Sequence, residues 1–154
     1  MSNKPRTKQP RVAISSTCKG LRVPRKKITE LAAFIARREG VHLAEADIAV
    51  VNSREISHMN RQYLNHSGAT DVLSFDLSEA PKEGICAQII VCGDVAVQQA
   101  KLRGLTFQEE LLLYVAHGLL HMIGYDDTAI RTAAKMHARQ DELLSEFRKL
   151  KKVR

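Results

Sequence analysis

The chain has 154 residues, enough for one domain with a real core, and its 44% hydrophobic content is ordinary for a soluble protein. No apolar run approaches the roughly 18 residues of a membrane span, and the basic N-terminus lacks the apolar segment of a signal peptide. The formal charge of +7 is uneven: residues 1–29 hold nine Lys/Arg and no acid, and the remaining 15 Lys/Arg face 17 Asp/Glu, so the body is near neutral.

Residues 1–10 carry two prolines, polar side chains and no periodicity, which predicts a disordered basic arm ahead of a single domain over 11–154. Val12-Ala13-Ile14 reads as a first strand. Pro24 suits a helix start, and the stripe Ile28, Leu31, Ala32, Ile35 continues to about Arg38, with Gly40 as its stop. Ile48 to Val51 reads as a second strand. Ser53 is placed to cap a helix whose inner face is Ile56, Met59, Tyr63 and Leu64. Asn65-His66-Ser67-Gly68 is turn chemistry. Val72 to Leu77 is a third strand, Pro81 to Gly84 a connection, and Gln88 to Cys92 a fourth strand. A helix over Val95 to Leu102 closes at Gly104. The last helix, about Thr132 to Leu150, carries Ala133, Met136, Leu143, Leu144 and Phe147. Strands and helices mix without regular alternation, which predicts an α+β fold: one four-stranded mixed sheet with helices packed on it.

The stretch from Thr106 to Asp127 carries the chemistry. Thr106 can cap a helix, with Glu109 completing a capping box. The run Leu111, Leu112, Leu113, Val115, Ala116, Leu119, Leu120 is apolar almost all round, so this helix should be the innermost. His117 and His121, four apart, project from one face. Gly124 stops the helix, and Tyr125-Asp126-Asp127 brings carboxylates back toward the histidines. Two histidines one turn apart and Asp127 past a glycine turn form a three-ligand set for a divalent cation, at the spacing of the zinc peptidases with aspartate for the last histidine. Where those peptidases carry a glutamate base, this chain has Gly118. Three ligands and an open position mark a catalytic rather than a structural metal.

The run His117, Gly118, Leu120, His121, Gly124, Tyr125, Asp126, Asp127, with Thr70-Asp71-Val72-Leu73-Ser74-Phe75 upstream, resembles the YbeY-type bacterial endoribonucleases of ribosomal RNA maturation. The likeness covers about residues 47–147. It implies an endoribonuclease that uses one Zn²⁺ ion, cuts single-stranded RNA, matures the 3′ end of small-subunit ribosomal RNA and supports ribosome quality control. The implied partner is ribosomal RNA or the small ribosomal subunit. Three positions differ from the family pattern. Asp127 stands where many relatives use histidine. Leu64 follows Tyr63 where many carry arginine, leaving His66 or Arg61 as the phosphate contact. Ala87-Gln88 replaces the usual Gly-Asp.

The proposed site is thus His117, His121 and Asp127 as metal ligands, with Asp126 beside them. Asp126 is placed to accept a proton, to orient one histidine, or simply to turn the chain. Thr70, Asp71 and Ser74 lie beside the third strand, either lining the cleft or forming an Asx-type turn. His42, His58 and His137 have no partner pattern. Cys18, Cys86 and Cys92 form no C-x-x-C pair, which fits reduced thiols in the cytoplasm, the latter two in or beside a strand. The basic N-terminal arm and the closing run Arg148, Lys149, Lys151, Lys152, Arg154 suit a polyanion held without sequence specificity. Two other readings stay open: a metalloprotease-like hydrolase, against which Gly118 argues, and a non-catalytic ribosome-binding factor with a structural metal. The sequence leaves oligomeric state undetermined.

Overall fold

The computed structural model describes residues 8–64, 68 and 70–152. The element order is β1 (Arg11–Ser16), α1 (Arg25–Glu39), β2 (Leu43–Val51), α2 (Ser53–Leu64), β3 (Val72–Asp76), a 3₁₀ turn (Pro81–Glu83), β4 (Ile85–Cys92), α3 (Gly93–Arg103), α4 (Phe107–Ile123) and α5 (Ile130–Lys152). The strands form one sheet in the order β1-β2-β4-β3. β1, β2 and β4 are parallel, and β3 joins β4 antiparallel as an edge. This is the single-domain α+β fold with a four-stranded mixed sheet that the sequence predicts.

Alternation along the strands assigns the two faces of the sheet. Ala46, Ile48 and Val50 of β2 and Ala87, Ile89 and Val91 of β4 point to the main core, with α1, α4 and α5. Val51, Ile90, Cys92 and Leu73 of β3 point the other way, onto Ile56 of α2. α4 is the innermost helix, buried from Glu110 through Leu112, from Tyr114 through Ala116 and from Gly118 through Leu120. Its apolar circumference needs that place, because each buried leucine contributes about 2 kcal/mol once removed from water.

Local signals set most helix ends. Thr106 accepts a hydrogen bond from the Glu109 N–H at 3.1 Å and starts α4. Gly40, Gly104 and Gly124 take left-handed conformations and end α1, α3 and α4. Two expectations for α2 are corrected. Ser53 is the first helical residue, and Asn52 Oδ1 instead accepts from the Glu55 N–H at 2.9 Å. Tyr63 and Leu64 are not on the inner face: Tyr63 is 62% exposed and touches Phe75 edge-on, while Asn60 is buried and donates to the Gly68 carbonyl. β2 and β4 begin earlier than propensity suggests, because Leu43–Asp47 and Ile85–Gln88 pair with each other. β3 ends at Asp76, one residue short of Leu77. The turn residues Asn65, His66 and Ser67 and the arm residues 1–7 lie outside the described residues. No helix among the described residues is long and apolar enough to cross a membrane.

Candidate metal centre

Thr106 and Gly124 fix where α4 begins and ends, and therefore where its two histidines face. His117 and His121 lie one turn apart near its C-terminal end, with ring centroids 4.8 Å apart and edge-on. Gly124 turns the chain at φ 119, with its N–H and that of Tyr125 bonded back to the Leu120 carbonyl. That turn delivers Asp127. His117 Nε2 and His121 Nε2 are 3.2 Å apart, and Asp127 Oδ2 lies 3.3 Å and 3.4 Å from them. Among the described residues, His117, His121 and Asp127 are the group of side chains that can hold a metal ion.

The triangle itself tests the fit. Two ligand atoms held about 2.0–2.1 Å from one ion stand about 2.8–3.4 Å apart, from octahedral to tetrahedral coordination. All three observed edges fall in the range one ion can span, and imidazole with carboxylate is a zinc donor set. The histidine side chains are mostly covered and Asp127 is 37% exposed, so one side of the triangle opens to solvent.

Neighbouring side chains brace His117 and the turn that carries Asp127. His117 Nδ1 faces Gln140 Oε1 of α5 at 2.9 Å. Tyr125 donates its hydroxyl to Glu39 Oε2 at 3.0 Å, and Arg139 Nε approaches Glu39 Oε1 at 2.5 Å. The last residue of α1 thereby ties the 124–127 turn to α5. Burial and the Glu39 carboxylate push the Tyr125 phenol up, so it stays a donor. Asp126 makes neither bond to a histidine. Its oxygens accept from the Thr128 N–H at 2.9 Å and hydroxyl at 2.7 Å, and those bonds hold its carboxyl below the usual range.

The other residues singled out by sequence fall as follows. The Ser74 hydroxyl lies under Gly118, where a Cβ would meet it at 2.9 Å, so β3 passes directly beneath the helix turn that carries His117. Asp71 Oδ1 accepts from its two chain neighbours, the Val72 N–H and the Thr70 hydroxyl, and so does not form the Asx-type bond to the N–H two residues on. His58 and Arg61 are exposed on α2. Cys86 and Cys92 lie in β4 and, with Cys18, are free thiols. His137, without a pattern in the sequence, stacks on His117 with centroids 5.9 Å apart. Gln140 was not singled out; its signal is a polar residue inside the buried stripe Met136, Leu143, Leu144, Phe147.

A family model described as Endoribonuclease YbeY matches residues 15–148. A protein named Endoribonuclease YbeY from Nocardioides sp. is 35% identical over 132 residues, covering 80% of this chain and 89% of that one. One of the same name from Macrococcus caseolyticus is 38% identical over 130 residues, covering 79% and 84%. The solution structure of TM1509 from Thermotoga maritima superposes with a TM-score of 0.60 at 27% identity, covering 88% of each chain.

Proposed function

The chain belongs to the YbeY endoribonuclease family, and on that premise we propose that it is a zinc-dependent, single-strand-specific endoribonuclease. In this reading it acts in the cytoplasm, in 3′-end maturation of small-subunit ribosomal RNA and in ribosome quality control. The observation that carries the proposal is the His117, His121, Asp127 triangle, with edges short enough for one ion to span and one open side. One Zn²⁺ bound there supplies a Lewis acid for a phosphoryl oxygen and lowers the pKa of water.

The chain's own residues do the rest. His117, His121 and Asp127 are the ligands. Asp126, next to Asp127 in the same turn and held by the Thr128 N–H and hydroxyl, would be the nearby carboxylate that accepts a proton. The basic arm over residues 1–10 and the Lys/Arg run that closes the chain hold the RNA backbone through counterion release. The domain from 11 to 154 is one metal-dependent hydrolase unit.

The geometry weakens the two other readings. A side chain at 118 would be driven against Ile89 Cγ2 and Ser74 Oγ, each 2.9 Å from its Cβ, so the peptidase glutamate has no room there. A structural metal would be closed by a fourth ligand, and among the described residues this set has three with an open side. The test offers zinc-loaded protein two substrates, a precursor fragment from the 3′ end of small-subunit ribosomal RNA and an unstructured peptide. Cleavage of the RNA alone, stopped by a chelator and restored by zinc, is the expected result. Peptide cleavage without RNA cleavage would overturn the proposal.

A further inference from the structure

A histidine offers one ring nitrogen to a metal only when the other holds the proton, and the partner of that other nitrogen sets both tautomer and ring angle. For His117 the partner is the Gln140 side chain, with Oε1 2.9 Å from Nδ1. With Oε1 turned toward Nδ1, the pair is a donor–acceptor match when Nδ1 carries the proton, and Nε2 is then left as a lone pair. That lone pair faces His121 Nε2 at 3.2 Å and Asp127 Oδ2 at 3.3 Å. Gln140 is 4% exposed and sits in the stripe by which α5 packs on the core, where an apolar residue would cost nothing in desolvation. His137, one turn earlier on α5, lies against the same imidazole.

We propose that Gln140 is a positioning residue of the metal centre: from a helix that supplies no ligand, it fixes the tautomer and ring angle of His117 and thereby the metal affinity. The proposal rests on the metal reading above. It separates from a packing role because acceptor and volume can be changed independently. Gln140→Leu keeps most of the volume and removes the acceptor. Gln140→Glu keeps the acceptor and makes it stronger.

The experiment measures two quantities in parent, Gln140→Leu and Gln140→Glu. One is zinc affinity, by competition with a chromophoric chelator. The other is the ¹⁵N imidazole shift pattern of His117 in the metal-free protein. The parent should show the Nδ1–H tautomer and bind zinc. Gln140→Leu should remain folded, lose the single tautomer and bind zinc roughly 10–100-fold more weakly. Gln140→Glu should keep the tautomer and bind at least as tightly as the parent. If Gln140→Leu does not fold, Gln140→Met takes its place with the same expectations. A leucine or methionine variant matching the parent in tautomer and affinity overturns the proposal and leaves the metal reading standing. Equal loss in the apolar and glutamate variants also overturns it, since packing alone would then be at work. A parent that binds no zinc overturns the metal reading and this proposal with it.

Discussion

Position 118 has no side chain because α4 lies too close to the sheet to admit one. A Cβ there would sit 2.9 Å from Ile89 Cγ2, on a stiff β-branched side chain, and 2.9 Å from Ser74 Oγ, which can rotate. Overpacking of this kind costs about 1–3 kcal/mol, against a gain of about 1 kcal/mol from replacing glycine in a helix. Gly118→Ala should therefore lower stability by about 1 kcal/mol in urea unfolding. On the same helix, Glu110 is 0% exposed and pairs with Arg103 Nη1 at 3.4 Å, with the buried Tyr114 hydroxyl beside it. Burial, and then Glu110, push the Tyr114 phenol above its ordinary range. A raised folded-state pKa means that stability is fully present below the unfolded value of about 10 and is lost as pH rises beyond it. Tyr114→Phe removes a buried hydroxyl that lies beside Glu110, so it should cost about 1 kcal/mol at neutral pH. Its stability should also fall less steeply than the parent's above about pH 10, as read from unfolding curves at the two pH values.

Among the elements, α4 was legible almost to the residue because each of its signals is local. Thr106 caps it, Gly124 ends it, and the apolar circumference between them has no other place to go. Thr106→Ala should cost about 1 kcal/mol and should weaken zinc binding less than any ligand substitution, since the cap lies three turns from His117. Denaturation and chelator competition on the same sample check both parts. α2 was read less well. Its spacing is helical, but among the described residues its last turn is exposed, with Tyr63 set edge-on to Phe75. Asn52 outcompeted Ser53 as the cap by one residue, a shift propensity does not resolve. The early halves of β2 and β4 carry Ala, Glu and Gln, weak strand formers that are held by pairing with each other rather than by intrinsic preference. Of the candidate site, His117, His121 and Asp127 were legible because they lie on one helix and its turn. Gln140 was not, because its bond to His117 joins residues 23 apart and the apolar stripe around it reads as core.

At the scale of the whole molecule, the sheet and the three helices on one face bring α1, α4 and α5 to a single point, the 124–127 turn. Glu39, Tyr125 and Arg139 join there, one from α1, one from the turn and one from α5. The charge lies elsewhere, since the body is near neutral and the N-terminal arm is basic. Deleting residues 1–10 removes Lys4, Arg6 and Lys8. On single-stranded RNA the slope of log affinity against log salt should then become shallower by up to about 2, with zinc affinity unchanged. An unchanged slope would remove the arm from the RNA contact. The central claim is that the His117, His121, Asp127 set holds the metal that RNA cleavage requires. The most direct test compares parent and His121→Ala, prepared identically, for bound zinc and for cleavage of the ribosomal RNA precursor fragment. The account predicts one zinc and cleavage in the parent, and neither in a variant that keeps the parent's circular dichroism. Equal cleavage by a folded, zinc-free variant would contradict it.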